Sequence, residues 1–241
     1  MFNYTNKLIQ GWKEQVVNPR LSPLLSLIWV GGFAIAAFLI WIFLQIADKV
    51  VAEETTTLDT EFLQSIYSIH TPLLNKIMAG ITYLGNGSTL IYLSCFVGVF
   101  LLTQRRFINA FTLVIVASGG IGLNLWLKTL YGRVRPALWE RIVEANSFSF
   151  PSGHAMVSLV IYGFIGYLLI VKFPSWSGII LFFTTLLILA IGFSRLYLGV
   201  HWPTDVIAGY AAGLVWLISC IISTEILQLL FSRNNQQAVS D

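Results

Sequence analysis

"SFSFPSGHAMVSLVIYGFIGYLL", residues 147–169, sets a proline, a serine, a glycine and a histidine directly ahead of an unbroken apolar run. The run is long enough to cross about 30 Å of hydrocarbon as a helix. Ser152 is a favoured N-cap residue, and Gly153 and His154 then fall in the first helical turn. Capping alone accounts for Ser152. It leaves open why a histidine sits beside the unpaired N–H groups and positive dipole end of a helix, where anions bind readily.

Of the 241 residues, 56% are hydrophobic and only 10% are charged, with a mean hydropathy of +0.78. Ordinary soluble domains are not built this way. The expectation is an all-α, polytopic membrane protein with six transmembrane helices in one domain. Stretches of spanning length occur at 24–47, 86–104, 107–127, 153–171, 176–194 and 204–224, uncharged except for Asp205 at the start of the last. Gly85, Asn86 and Gly87 interrupt an uncharged stretch that begins at Ile77, and read as the loop before the second span. The first apolar run exceeds a signal-peptide core of about 7 to 15 residues, so the first helix is read as uncleaved. The tail at 233–241 reads as disordered. Cys95 and Cys220 fall inside spans as small hydrophobes, without a disulfide framework. No run of like charge is long enough to suggest nucleic acid.

Between the first two spans, Phe62, Ile66 and Ile69 recur at helical spacing beside Asp59 and Glu61 until Pro72 breaks the pattern. Helices lying at the outer interface are expected over 58–83. Anchoring there is the plainer reading and gating of lipid entry the sharper one; His70 reads as structural. Trp139, Phe148 and Phe150, in the loop between spans three and four, are candidates for contact with an acyl or prenyl chain. Gly209 and Gly213 form a small-residue face suited to close packing within the bundle.

With the N-terminus inside, the inner segments carry Lys7, Lys13, Arg20, Arg105, Arg106, Lys172 and Arg233. The outer loops carry Lys49, Lys76, Lys128, Arg133, Arg135, Arg141 and Arg195, so the raw count is even and does not decide orientation. Parity adds a second observation. The exit of span three, entry of span four, exit of span five and entry of span six share one membrane face. Lys128, Arg135, Ser152, Gly153, His154, Arg195, His201 and Asp205 occupy those four places.

Each residue has a bland alternative: a snorkelling lysine at a helix end, a topology-setting arginine, an interfacial histidine, or an acid favoured in the first turn after Pro203. Together they supply the parts of phosphoryl transfer. Lys128, Arg135, Arg195 and the backbone at Ser152 and Gly153 would hold phosphate oxygens. Asp205, four residues after His201, would accept one imidazole proton and leave the other nitrogen free to attack. His154 would pass a proton to the leaving oxygen and later take one from water.

"KTLYGRVRP" (128–136), "PSGH" (151–154) and "SRLYLGVHWPTD" (194–205) resemble the three signature motifs of the type 2 phosphatidic acid phosphatase family, in order and with internal spacing intact. Val134 stands where relatives often have proline. The resemblance implies His201 as nucleophile, His154 as acid and base, Asp205 as orienter, and phosphate binding by Lys128, Arg135, Ser152, Gly153 and Arg195. It also implies a reaction without metal or cofactor, which agrees with the lack of a close His/Cys/Asp/Glu cluster of metal-site spacing. Bacterial members act on phosphatidylglycerophosphate, phosphatidic acid or undecaprenyl pyrophosphate at the outer face of the cytoplasmic membrane. If the site holds Lys128, Arg135 and Arg195, the remaining bases favour cytoplasmic termini and a site facing the periplasm or exterior. Two alternatives stay open: a phosphotransferase using the same histidine, and a non-catalytic transporter or scaffold. Oligomeric state is not legible.

Overall fold

The computed structural model describes residues 22–140, 143 and 147–240, with backbone alone over 22–30 and 229–240. Lys7, Lys13, Arg20 and Arg141, which enter the charge count, lie outside the described residues. Regular structure among the described residues is helical throughout: α1 (Ser22–Val51), α2 (Thr56–Tyr67), α3 (Pro72–Leu84), α4 (Gly87–Thr103), α5 (Phe107–Tyr131), α6 (Gly153–Lys172), α7 (Ser177–Tyr197) and α8 (Pro203–Ser240). A 3₁₀ turn, Pro174–Trp176, leads into α7. The backbone of α8 continues through 233–240, where the polar sequence suggests a disordered tail.

Five of these helices, α1, α5, α6, α7 and α8, are each long and apolar enough to cross a membrane. The sixth is different. α4 has 17 residues, or about 25 Å at 1.5 Å per residue. It meets the criterion only together with α3, from which it is bent by 47°. Asn86 is the extended N-cap of α4, and Gly85 ends α3. A Cβ on Gly85 would lie 2.5 Å from Ile191 Cγ2 and 3.0 Å from His154 Cδ2, so glycine lets this bend press against α6 and α7.

α6 is the central helix, packed on α5, α7 and α8. Val160 and Phe164 are fully buried at its middle, while Phe96 and Phe111 on α4 and α5 point outward, as helices facing lipid require. α8 seats on the start of α6 through the small-residue face. A Cβ on Gly209 would stand 2.8 Å from Ser152 O, and one on Gly213 3.0 Å from Met156 O. Gly209→Ala is expected to cost about 1–3 kcal/mol by overpacking against backbone that cannot turn aside. Gly98, with nothing within 4 Å of its Cβ position, is the control. Thermal unfolding in detergent should show a lowered midpoint for Gly209→Ala but not for Gly98→Ala. Equal midpoints would contradict the close approach.

α2 and α3 lie at the end of the bundle where α5 ends and α8 begins. Thr71 caps α3 by accepting from Leu74 N at 3.2 Å, with Pro72 at the first helical position. Thr71 N donates to Tyr197 Oη at 3.3 Å, and that hydroxyl donates to Asn75 Oδ1 at 2.7 Å. The buried side of α2 is Asp59, Leu63 and Ile66, whereas Phe62 and Ile69 are exposed. The stripe expected from sequence through Phe62, Ile66 and Ile69 is therefore divided, because Asp59 turns inward to meet Arg133 and Thr204.

His70 stacks on Tyr197, centroids 4.1 Å apart, and contacts Tyr67 and Trp139. Burial lowers its pKa, partly offset by the hydrogen bond it gives to the Tyr197 backbone, in keeping with a structural ring. Trp139 is taken up in the same stack and packs against Gly199, whose φ of +66° favours glycine. Phe150 is fully buried against Phe43 and Tyr131. Of the three loop aromatics considered for chain contact, Phe148 alone is exposed.

Candidate active site

Local signals deliver the four helix ends. α5 closes at Gly132, which at φ +59° adopts the left-handed C-cap conformation and donates from its N–H to Lys128 O at 3.0 Å. α6 opens at Ser152, whose Oγ accepts from Ala155 N at 3.5 Å. Ser152 N donates to Asp205 O at 2.9 Å, tying the openings of α6 and α8 together. The capping role of Ser152 is thus present, and the cap sits against the candidate orienting acid.

His201 and Asp205 form the centre. His201 Nδ1 lies 3.2 Å from Asp205 Oδ2. A carboxylate only accepts, so the imidazole carries its proton on Nδ1 and bares Nε2. Nε2 lies 3.0 Å from Arg135 Nη1. Both His201 and Asp205 are buried, at 1% and 0% exposure. Burial first, and then the charges of Arg135, Arg195 and Lys128, hold the His201 pKa well below the usual histidine range.

The cations converge from three directions. Arg135 Nε donates to Ser147 O at 2.6 Å and its Nη1 to Val200 O at 2.6 Å. Lys128 Nζ donates to Phe148 O, and Arg135 Nη2 approaches the same carbonyl at 3.4 Å. Arg195, 4% exposed, donates from Nη1 to Thr82 Oγ1 at 2.6 Å; its buried Nε has no hydrogen-bond acceptor among the described residues. Gly153 packs on Asn124, whose Oδ1 would stand 2.8 Å from an added Cβ. Glycine there allows helix contact as well as close access to the backbone.

His154 is held from another side, its Nε2 2.8 Å from Asn86 Oδ1. The structure thus joins Lys128, Arg135, His201, Asp205 and Ser152 through a continuous set of contacts. Arg195 and His154 are instead braced by Thr82 and Asn86, at the bend between α3 and α4.

Several neighbours were not singled out in sequence. Ser149 Oγ donates to Asp205 Oδ2 and lies 3.4 Å from His201 Nδ1. Arg133 Nη1 donates to Asp205 Oδ1 at 2.7 Å, and Trp202 N to Asp205 Oδ2 at 2.9 Å. Ser149 and Arg133 each sit two residues from a signature residue, Pro151 and Arg135; that proximity was the available signal. Asn86 carried none, because Gly-Asn-Gly reads as a turn.

A family model described as the PAP2 superfamily matches residues 107–227. Phosphatidylglycerophosphatase B of Bacillus subtilis (strain 168) is 33% identical over 176 residues, covering 72% of this chain and 86% of that protein. Undecaprenyl-diphosphatase of Sulfolobus acidocaldarius is 29% identical over 181 residues, covering 73% and 83%. The crystal structure of the transmembrane PAP2 type phosphatidylglycerolphosphate phosphatase from Bacillus subtilis superimposes with a TM-score of 0.75 at 30% identity, over 79% of this chain and 96% of that one.

Proposed function

The chain belongs to the PAP2 superfamily, a membrane-embedded lipid phosphatase by its relatives, and from that premise we propose that it hydrolyses lipid phosphate monoesters or pyrophosphates through a phosphohistidine on His201. The observation that carries this reading is the paired state of the imidazole: Nδ1 on Asp205, Nε2 facing a guanidinium. A phosphoryl oxygen bound by Arg135 would bring phosphorus within reach of that lone pair.

Nε2 attacks phosphorus, the bond to the leaving lipid oxygen breaks, and His154 supplies that oxygen with a proton. Water then attacks the phosphohistidine, His154 takes its proton, and the phosphorus–nitrogen bond breaks to release phosphate. Lys128, Arg135 and Arg195 neutralise the phosphate charge as a metal otherwise would, with the Gly153 N–H and the Ser152 hydroxyl as further donors; the backbone N–H expected from Ser152 is instead taken up by Asp205 O.

The substrate class proposed is that of the relatives: phosphatidylglycerophosphate, phosphatidic acid or undecaprenyl pyrophosphate. The proposed orientation has cytoplasmic termini and an outward-facing site. Arg105 and Arg106 follow α4, and Lys172, 5.5 Å from the Phe100 ring, ends α6 at that same end of the bundle. Arg133, by contrast, is paired with Asp59 and Asp205. It joins Lys128, Arg135 and Arg195 as a cation held at the site end, where Lys49 and Lys76 then stand against Arg105, Arg106, Lys172 and Arg233 at the opposite end.

The test is phosphate release from a panel of lipid phosphates and pyrophosphates, supplied from outside to sealed right-side-out vesicles with chelator present. Release is expected without permeabilisation. Activity lost in chelator would sink the metal-free reaction, and release only after permeabilisation would reverse the topology. Since His201 stays neutral below the usual histidine range, kcat/KM should not fall through pH 6.5 on its account. Arg135→Met removes a cause of that lowering, so the acid limb should move to higher pH. A limb that stays put would remove Arg135 as the local influence.

A further inference from the structure

We infer that Arg133 is a positioning residue for the nucleophile, held by Asp59 on the interfacial helix and acting on His201 through Asp205. The inference rests on the roles proposed above for His201 and Asp205. Both terminal nitrogens of the guanidinium are doubly engaged. Nη1 donates to Asp205 Oδ1 at 2.7 Å and to Thr204 Oγ1 at 2.8 Å; Nη2 donates to Asp59 Oδ2 at 2.8 Å and to Thr55 Oγ1 at 3.1 Å. The Trp202 ring lies 5.3 Å below it. Both carboxylates are buried, Asp59 at 2% and Asp205 at 0% exposure.

This arrangement divides the labour on Asp205. Arg133 takes Oδ1, and Oδ2 is left to His201 Nδ1, Ser149 Oγ and Trp202 N. A carboxylate free to rotate could offer either oxygen in many directions. One pinned at Oδ1 by a planar donor presents Oδ2 in a single direction, which sets the imidazole tautomer. Asp59 fixes the far edge of the fork. It also accepts from Thr204 N at 3.2 Å and from Thr204 Oγ1 at 2.6 Å, so α2 grips the first turn of α8 as well as the arginine. α2, expected from sequence to lie at the outer interface, is thereby linked to the proposed nucleophile by a chain of charged hydrogen bonds. Lysine is a poor substitute, because one ammonium cannot span two carboxylates in a fork.

A competing role is visible. Arg133 also lines a cleft of about 400 Å³ with Val50, Tyr131, Val134 and Trp202, from which it could touch a lipid head group directly. The two roles separate in kinetics. A positioning residue lowers kcat and leaves KM, whereas a head-group contact made equally in ground and transition states raises KM.

The experiment uses the full-length protein in detergent and measures kcat and KM with phosphatidic acid for Arg133→Ala, Arg133→Lys, Asp59→Asn, Asp205→Ala and the Arg133→Ala/Asp205→Ala double variant. With 15N-histidine labelling, NMR reads the tautomer of His201, one of only three histidines. Arg133→Ala should lose about 10- to 100-fold in kcat, the range typical of residues that orient a reacting group, with KM within about threefold. His201 should lose its exclusive Nδ1–H form. Arg133→Lys should recover part of the loss, Asp59→Asn should show a smaller loss of the same kind, and the double variant should be no slower than Asp205→Ala alone. Where Arg133→Ala does not fold, Arg133→Lys and Asp59→Asn carry the same readouts. A raised KM with unchanged kcat, an unchanged kcat and tautomer, or additive losses in the double variant would overturn the inference. Wild-type kcat in Asp205→Ala would instead strike at the orienter reading beneath it.

Discussion

His201→Ala is expected to abolish phosphate release, with kcat lower by on the order of 10⁴-fold or more, the scale seen when a covalent nucleophile is removed. The substitution takes away the one unprotonated nitrogen that faces Arg135. It leaves Asp205 with its bonds from Arg133, Ser149 and Trp202, so the fold of the site has little reason to change. Two measurements check this. Steady-state phosphate release should fall to the background of the assay, and acid-labile phosphoenzyme trapped from wild type should be absent from the variant. Equal release by the two proteins would eliminate His201 as nucleophile. Product analysis in the same assay separates hydrolysis from transfer: phosphate on a second lipid would make water only one of the acceptors.

Arg195→Ala is expected to lower kcat/KM by about 10³-fold, in the range found for removal of a preorganised charge-stabilising donor. Arg195 is nearly enclosed, with Nη1 committed to Thr82 and Nε buried without an acceptor among the described residues. A buried donor left unpaired costs about 1–3 kcal/mol, and a phosphoryl oxygen is the kind of acceptor that would relieve it. Arg195→Lys should restore the charge but recover no more than about tenfold, since an ammonium cannot keep Thr82 and also present a second fixed donor. Product inhibition by inorganic phosphate should weaken in parallel. Lys172→Ala, at the far end of α6, should match wild type. Wild-type kcat/KM in Arg195→Ala would remove this residue from phosphate binding.

Much of the site was legible because its parts are local. His201 and Asp205 are four residues apart across a helix start, and Ser152 to His154 form another helix start. Such short segments impose their geometry with little help from the remainder of the chain. Parity then placed the segments on one face, since an even number of crossings returns the chain to the same side. In sequence, Arg133 is one outer-loop base among several. Its partners Asp205 and Asp59 are 72 and 74 residues away in sequence, and no periodicity encodes that. Asn86 was hidden for the same reason: His154 is 68 residues from it.

The helical interface segment shows the limit from the packing side. Amphipathic spacing in 58–69 pointed to Phe62, Ile66 and Ile69 as one face, yet the buried face carries Asp59. Hydrophobic periodicity assumes that acids seek water. Asp59 defeats the assumption because a guanidinium and a threonine wait for it inside, and a paired carboxylate can be buried where a lone one cannot.

The membrane class, the helical architecture and the residue types and spacing of the three motifs can be read without the fold, because apolar length, helix caps and motif spacing are properties of short stretches. Tertiary structure alone decided that α3 and α4 share a bend, that Asn86 and Thr82 brace His154 and Arg195, and that Arg133 bridges Asp59 to Asp205. Charges this far apart in the chain meet only when helices pack, and burial then makes their pairing obligatory.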